Sequence, residues 1–236
     1  YLNGQTRAGV VSDVTLSANR YVRDEVQTSS TISQYGVFIS PDLERIKCIG
    51  EAFDVIAGQA YHIRASDVDI DCATVNLGGS SACIWLQDTC ENLSITNCTL
   101  LGSAEAILMN DDAARFSAAS SNWKITGNTC NGDIDLRANN SSTGSMEFLE
   151  VKDNSMLSGS RIIVGGYDVT SGNQIKNFQI TGNTGHDFTA SFIDLARMER
   201  GQANMNHGET SSSVNLVKAS NICDYILAAL NTATLG

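Results

Sequence analysis

Apolar and polar residues alternate along this chain in short bursts, and the bursts recur in a fixed register. The clearest is NWKITGNTC, residues 122–130, where one polar position separates Trp123 from Ile125. The same arrangement stands at DVDIDCAT (67–74), NLSITNCT (92–99), FLEVKDNS (148–155) and NFQITGNT (177–184). Aligning the apolar pairs Val68/Ile70, Leu93/Ile95, Trp123/Ile125, Leu149/Val151 and Phe178/Ile180 produces columns. Asp67, Asn92, Asn122, Phe148 and Asn177 precede the pair, and a hydroxyl follows it at Thr74, Thr99, Thr129, Ser155 and Thr184. Asn128, Asn154 and Asn183 stand just before that hydroxyl. Weaker units at Ile46/Cys48 and Val214/Leu216 extend the series, with spacings of 22, 25, 30, 26, 29 and 36 residues.

Alternation with a period of two marks a strand rather than a helix. Self-similarity at 20–50 residues marks a solenoid, propeller or array. A second burst follows in most units: CIWLQ (83–87), AILMN (106–110), DIDLR (133–137), RIIVG (161–165) and FIDLA (192–196). Short strands in turns of variable length describe an all-β parallel β-helix, whose coils stack about 4.8 Å apart. The pattern predicts about six to eight coils over residues 46–220, with Ile95, Ile125, Val151 and Ile180 in one ladder. The Asn column is expected to bond turn to turn and to be structural.

Residues 1–45 lack the columns and are expected to form an N-terminal cap, with a short helix over 10–26. Residues 201–213 read as a polar loop. Residues 221–236 are expected to be a C-terminal helical cap or a subunit contact. Asn221 would cap that helix, with Ile222, Tyr225, Ile226, Ala229 and Leu230 as its apolar stripe. The insertions at 113–121 and 138–145 are rich in Ser, Asn, Ala and Thr, and would wall a groove.

Stacked units ending in Asn-Thr or Asn-Ser, with Ile- and Val-rich strands, resemble the right-handed parallel β-helix proteins. That group includes pectate-lyase-like enzymes and bacteriophage tailspikes. The resemblance covers roughly residues 46–216. It implies a right-handed coil, a homotrimer and a bacterial surface polysaccharide as partner. It also implies a place on a virion tail or outside the cell, after synthesis in a host cytoplasm. It does not fix an activity, because function lives in sites grafted on folds.

Charge narrows the partners. The net charge is −11, from 26 acidic and 15 basic residues, so the positive footprint of a nucleic-acid binder is missing. Neutral or amino-containing glycans suit this balance better than strongly anionic ones. No run of 18 apolar residues exists to insert in a membrane. The 7 cysteines carry no metal-ligand spacing; they read as small buried hydrophobes, with Cys48 and Cys72 on the inward register. No cofactor or metal motif is present. Opening on Tyr1 rather than Met, the chain reads as a fragment or a processed product.

Candidate chemistry sits on the second burst. Its inward pairs leave Trp85, Leu108, Asp135, Ile163 and Asp194 facing outward. Asp135 and Asp194, two coils apart, are the candidate catalytic acids. A separation of about 9–10 Å at the backbone approaches the roughly 6.5–9.5 Å between the carboxyls of inverting glycosidases. Arg137 and Arg197 are candidates for holding an acid or a substrate carboxylate, and Trp85 for stacking on a sugar. Asp111 and Glu199 are further rim acids placed to bind substrate. A structural or adhesive domain without chemistry, or a secreted polysaccharide lyase, are the rival readings.

Overall fold

The computed structural model describes residues 11–23, 35–55, 58–78, 82–87, 90–102, 104–109, 120–138, 146–166, 175–211, 213–220 and 223–235. Its described residues form three parallel sheets of nine, nine and eight strands, visited in rotation by the chain. The first sheet runs from Val11–Ser17 to Asp224–Leu227, the second from Arg20–Arg23 to Thr232–Leu235, and the third from Tyr35–Ile39 to Val217–Ser220. This is a parallel β-solenoid without helix among the described residues. One sheet's eight strands meet the top of the expected six to eight coils, and the other two, with nine, pass it by one.

The expected ladder is present. Leu16, Cys48, Ile70, Ile95, Ile125, Val151, Ile180 and Ala203 follow one another in register across the first sheet. Ile70, Ile95, Ile125, Val151 and Ile180 are fully buried. β-Branched residues suit this position because each packs on its own kind in the coils above and below.

Left-handed backbone explains two of the sequence columns. Asp13, Arg45, Asp67, Asn92, Asn122, Phe148, Asn177 and Arg200 have φ between 54° and 61° and kink each first-sheet strand just before its inward pair. Asn and Asp tolerate that conformation better than other L residues, hence their prevalence there. A second left-handed column includes Gly50, Cys72, Asn97, Gly127, Asp153 and Gly182, at φ 52° to 69°. It turns the chain from the first sheet into the second and aims the following residue inward. Asn128, Asn154 and Asn183 occupy that inward corner, at 0–1% exposure.

Several expectations are corrected. The helix over 10–26 is replaced by the strands Val11–Ser17 and Arg20–Arg23. Val14 pairs with Ile46 and Leu16 with Cys48, so apolar spacing that suggested a helix belongs to a first coil. The C-terminal helix is likewise replaced by the strand Asp224–Leu227. Left-handed Leu230, 78% exposed, turns the corner and does not lie on a buried stripe. The solenoid therefore extends beyond residues 46–220 at both ends.

The polar loop at 201–213 is in fact the strands Met198–Asn204 and His207–Thr210. Its inward positions include Gly201, Ala203 and Gly208, too small to register as hydrophobic, and the polar Asn206 and Thr210. A Cβ on Gly201 would overlap the Phe178 ring, and one on Gly208 would crowd Phe188 and Leu216. Large rings from neighbouring positions fill the space those glycines leave. Val214 and Leu216 precede a third-sheet strand, Val217–Ser220, and are not a first-sheet unit. Cys72 is exposed at its left-handed corner, whereas Cys48, Cys83, Cys90, Cys98 and Cys130 are buried.

Candidate functional site

The outer face of the third sheet carries a continuous column: Phe38, His62, Trp85, Leu108, Asp135, Ile163, Asp194 and Lys218 stand in register. Inward neighbours Ile84, Ile107, Ile134, Ile162 and Ile193 are fully buried, and alternation then forces the column outward. Asp135 and Asp194 thus share a column two strand spacings apart, with Ile163 between them at 7% exposure.

Their surroundings differ. Asp135 is only 5% exposed, and Arg137 grips both of its oxygens. Arg137 Nε donates to Asp135 Oδ1 at 2.7 Å, and Nη2 donates to Oδ2. This is a bidentate, charge-assisted pair that fixes the orientation of the carboxylate. Asp194 is half-buried and faces Lys218, whose Nζ lies 3.8 Å from Oδ1.

Two further acids join this face. Asp133 lies two residues before Asp135 on the same strand, Asp133–Ala138, and its register partner is Glu105. The Arg161 amide donates to Asp133 Oδ1 at 2.7 Å and its Nη2 donates to Oδ2 at 3.2 Å. Glu105, Asp133 and Asp135 therefore cluster on adjacent strands between two guanidiniums. Burial raises the pKa of Glu105, and the charges of Asp135 and Asp133 raise it further. Burial also raises that of Asp133, against the lowering effect of Arg161. The cluster thus sets two carboxyls whose pKa values are raised beside one held in place by a guanidinium.

The sequence reading passed over Asp133, although it shares parity with Asp135. Glu105 was hidden by an irregularity. The register shifts between Glu105 and Ile107, leaving Ala106 and Ile107 both buried, and the bulge reverses the parity of the residue before it.

The remaining candidates scatter. Trp85 is in the column, but the His62 imidazole stacks on its ring at 4.3 Å and 21°, and His62 is itself bonded to Gln87 at 2.8 Å. One face of the indole is therefore occupied. Arg197 is 7% exposed at a left-handed corner with φ 55°, off the outward column. Glu199 lies on the first sheet, in the strand Met198–Asn204. It pairs there with Arg200 at 3.4 Å and Lys176 at 3.9 Å, so it does not share a rim with Asp135. Asp111 lies outside the described residues, as do the insertions at 113–121 and 138–145 apart from Ser120, Ser121 and Ala138. Among the described residues no group of three or more His, Cys, Asp or Glu is arranged to hold a metal ion.

Compared with protein-family models, curated proteins and solved structures, the chain matches none.

Proposed function

We propose that this protein binds a bacterial surface polysaccharide along the outer face of its third sheet and hydrolyses it with Glu105 as general acid and Asp135 as general base. The observation that carries this reading is the packing of Glu105, Asp133 and Asp135 on adjacent strands between Arg137 and Arg161. Glu105 and Asp135 are diagonal neighbours, roughly 8 Å apart at the backbone. That spacing leaves room for a water between carboxyl groups, as inversion requires. Burial and neighbouring anions raise the pKa of Glu105, the direction a general acid needs in order to protonate the leaving oxygen. Arg137 orients Asp135 and releases one oxygen to the attacking water when a sugar enters. Asp194 and Lys218, further along the column, contact adjoining sugars.

Glu105→Gln and Asp135→Asn should each lower the release of reducing ends by about 10²–10⁴-fold, with inversion at the anomeric carbon in the wild type. Asp194→Asn should change the rate less than tenfold. Full activity in both Glu105 and Asp135 variants would remove the catalytic reading. One observation favours a purely adhesive protein instead: Asp135 is 5% exposed with both oxygens engaged. An adhesin would bind the same glycan, release no product and be indifferent to Glu105→Gln.

The resemblance to tailspikes supports a wider proposal, in which a right-handed coil assembles as a homotrimer on a phage tail or another outer surface. Light scattering that gave the single-chain mass, 25.2 kDa, would rule out the trimer.

A further inference from the structure

Phe148 is the aromatic member of a column otherwise built from Asp, Asn and Arg. At φ 61° it lies in the left-handed region, where a bulky side chain is a conformational outlier. Its ring is 54% exposed, so burial does not offset the strain. Its neighbours show what the position usually does. Asn92 Nδ2 donates to Asp67 Oδ1 at 2.6 Å, and Asn122 Nδ2 donates to Asn92 Oδ1 at 2.9 Å. That chain of bonds stops at Phe148. Strain of this kind persists where a ligand gives it a use.

The surround also points to a ligand. Asn122 and Asn177 flank the ring from the adjacent strands, each one coil away, about 4.8 Å. Among the described residues, the Asn122 Oδ1 and the whole Asn177 amide have no side-chain bond. The next outward position holds Lys124, Glu150 and Gln179 in register, with no net charge, on a chain whose total is −11. The patch is therefore an exposed ring between two amides on electrically balanced ground.

We propose that this patch on the first sheet binds a neutral pyranose, with the C–H face of the sugar on the Phe148 ring and its hydroxyls on the Asn122 and Asn177 amides. Sugars present just these two surfaces, an apolar face and a rim of hydroxyls. An anionic sugar would gain nothing from balanced charges. The site rests on the glycan reading above, but it lies on a different sheet from Glu105. Binding and hydrolysis can therefore be tested apart.

The test is electrophoresis of the native protein through gels containing dextran, mannan or galactan, with polygalacturonate as the anionic control. At least one neutral polymer should retard the wild type. Phe148→Asn should weaken that retardation at least tenfold, while Phe148→Trp keeps it. Phe148→Asn should also melt at a higher temperature, because Asn suits the left-handed backbone and can continue the side-chain chain. Undiminished retardation of Phe148→Asn, a lower melting point for it, or a wild type that none of the neutral gels retards would overturn the site. So would a concentration-dependent mass that Phe148→Asn abolishes, since the ring would then be a contact between copies. Binding through Phe148 in a protein whose Glu105→Gln variant hydrolyses normally would sink the catalytic reading alone.

Discussion

The corner between the first and second sheets is built in two ways at the two ends of the molecule. Toward the C-terminus it is a ladder of Asn128, Asn154, Asn183, Asn206 and Asn231. Each Oδ1 from Asn154 onward accepts the backbone N–H and the Nδ2 of the rung before it, at 2.9 to 3.0 Å. Each Nδ2 also donates to a backbone carbonyl, as Asn154 does to Ile125 O at 3.0 Å. Toward the N-terminus the same corner holds Asn19, Glu51, Ala73 and Cys98. Only the first two are linked side chain to side chain, Asn19 Nδ2 donating to Glu51 Oε1 at 3.0 Å.

The interiors at both ends carry buried rings. N-terminal coils are packed with rings, Tyr21 stacked on Phe53 at 4.5 Å and Phe53 edge-on to Tyr61 at 4.7 Å. In the C-terminal coils Gly185, Gly201 and Gly208 make room for Phe192, Phe178 and Phe188, which are buried as well. What distinguishes the two ends is therefore the corner itself, a complete polar ladder at one and a broken one at the other. A buried polar network stabilises only when every member is satisfied, and the Asn ladder meets that condition.

The sharpest way to break the contrast is Asn154→Leu. It removes the acceptor of Asn128 N–H and Nδ2, and it orphans Ile125 O. Several buried unsatisfied groups should cost about 3–5 kcal/mol together, or roughly 10–15 °C in melting temperature for a chain of this size. Calorimetry showing a loss under about 1 kcal/mol would mean that the ladder is decoration. Next is Gly201→Ala, whose methyl would meet the Phe178 ring. Overpacking of this kind costs about 1–3 kcal/mol, and Phe178→Leu in the same chain should recover part of it. Strictly additive effects in that double-mutant cycle would show that the two residues do not share the space.

The same contrast explains what the sequence showed. Coils with an Ile, Val, Leu, Trp or Phe pair and an Asn at the corner announced themselves, and their ladder register matches the columns residue for residue. The coil at Gly201 and Ala203 was illegible because its apolar mass comes from Phe178 in the previous coil. The first coil was illegible because Val14 and Leu16 stand among residues whose spacing also fits a helix. In the candidate site, alternation placed Asp135 and Asp194 on one face, but it could not foresee the bulge at Ala106 that brings out Glu105. Nor does alternation reveal that His62 covers one side of Trp85, since that depends on which rings stack across coils.

A smaller effect should come from extending the ladder into the broken region. Cys98 occupies a ladder position, and its Sγ lies 3.9 Å from Ile70 O. That carbonyl is equivalent to the Ile95 O that Asn128 Nδ2 bonds at 3.0 Å. Asn128 Oδ1 already accepts the Cys98 amide at 2.9 Å. Cys98→Asn would offer an Nδ2 to both Asn128 Oδ1 and Ile70 O, and an Oδ1 to the Ala73 amide. The variant should gain about 1 kcal/mol. A loss would mean that the thiol packs in a space too small for an amide.

The smallest effect concerns how the first coil is held on its outer side. There the left-handed column is bridged by charge: Arg45 Nε and Nη2 donate to the two Asp13 oxygens at 2.7 and 2.9 Å. The hydrogen bond from Arg45 lowers the Asp13 pKa from 3.8 to about 2. A carboxyl whose folded pKa is depressed adds stability above its unfolded value and loses it as pH falls through the folded one. The contribution should therefore be complete above about pH 4 and gone near pH 2. Both side chains are more than half exposed, at 69% and 53%, so solvent and salt screen the pair. The effect should be confined to opening of the first coil rather than global unfolding. Hydrogen exchange of Val11–Ser17, corrected for intrinsic rates, should lose protection between pH 4 and pH 2, less steeply in 1 M salt. Asp13→Asn should flatten that profile and keep the left-handed turn, because Asn tolerates it as well as Asp. An unchanged acid limb in Asp13→Asn would assign the loss of protection to other carboxyls of the N-terminal coils.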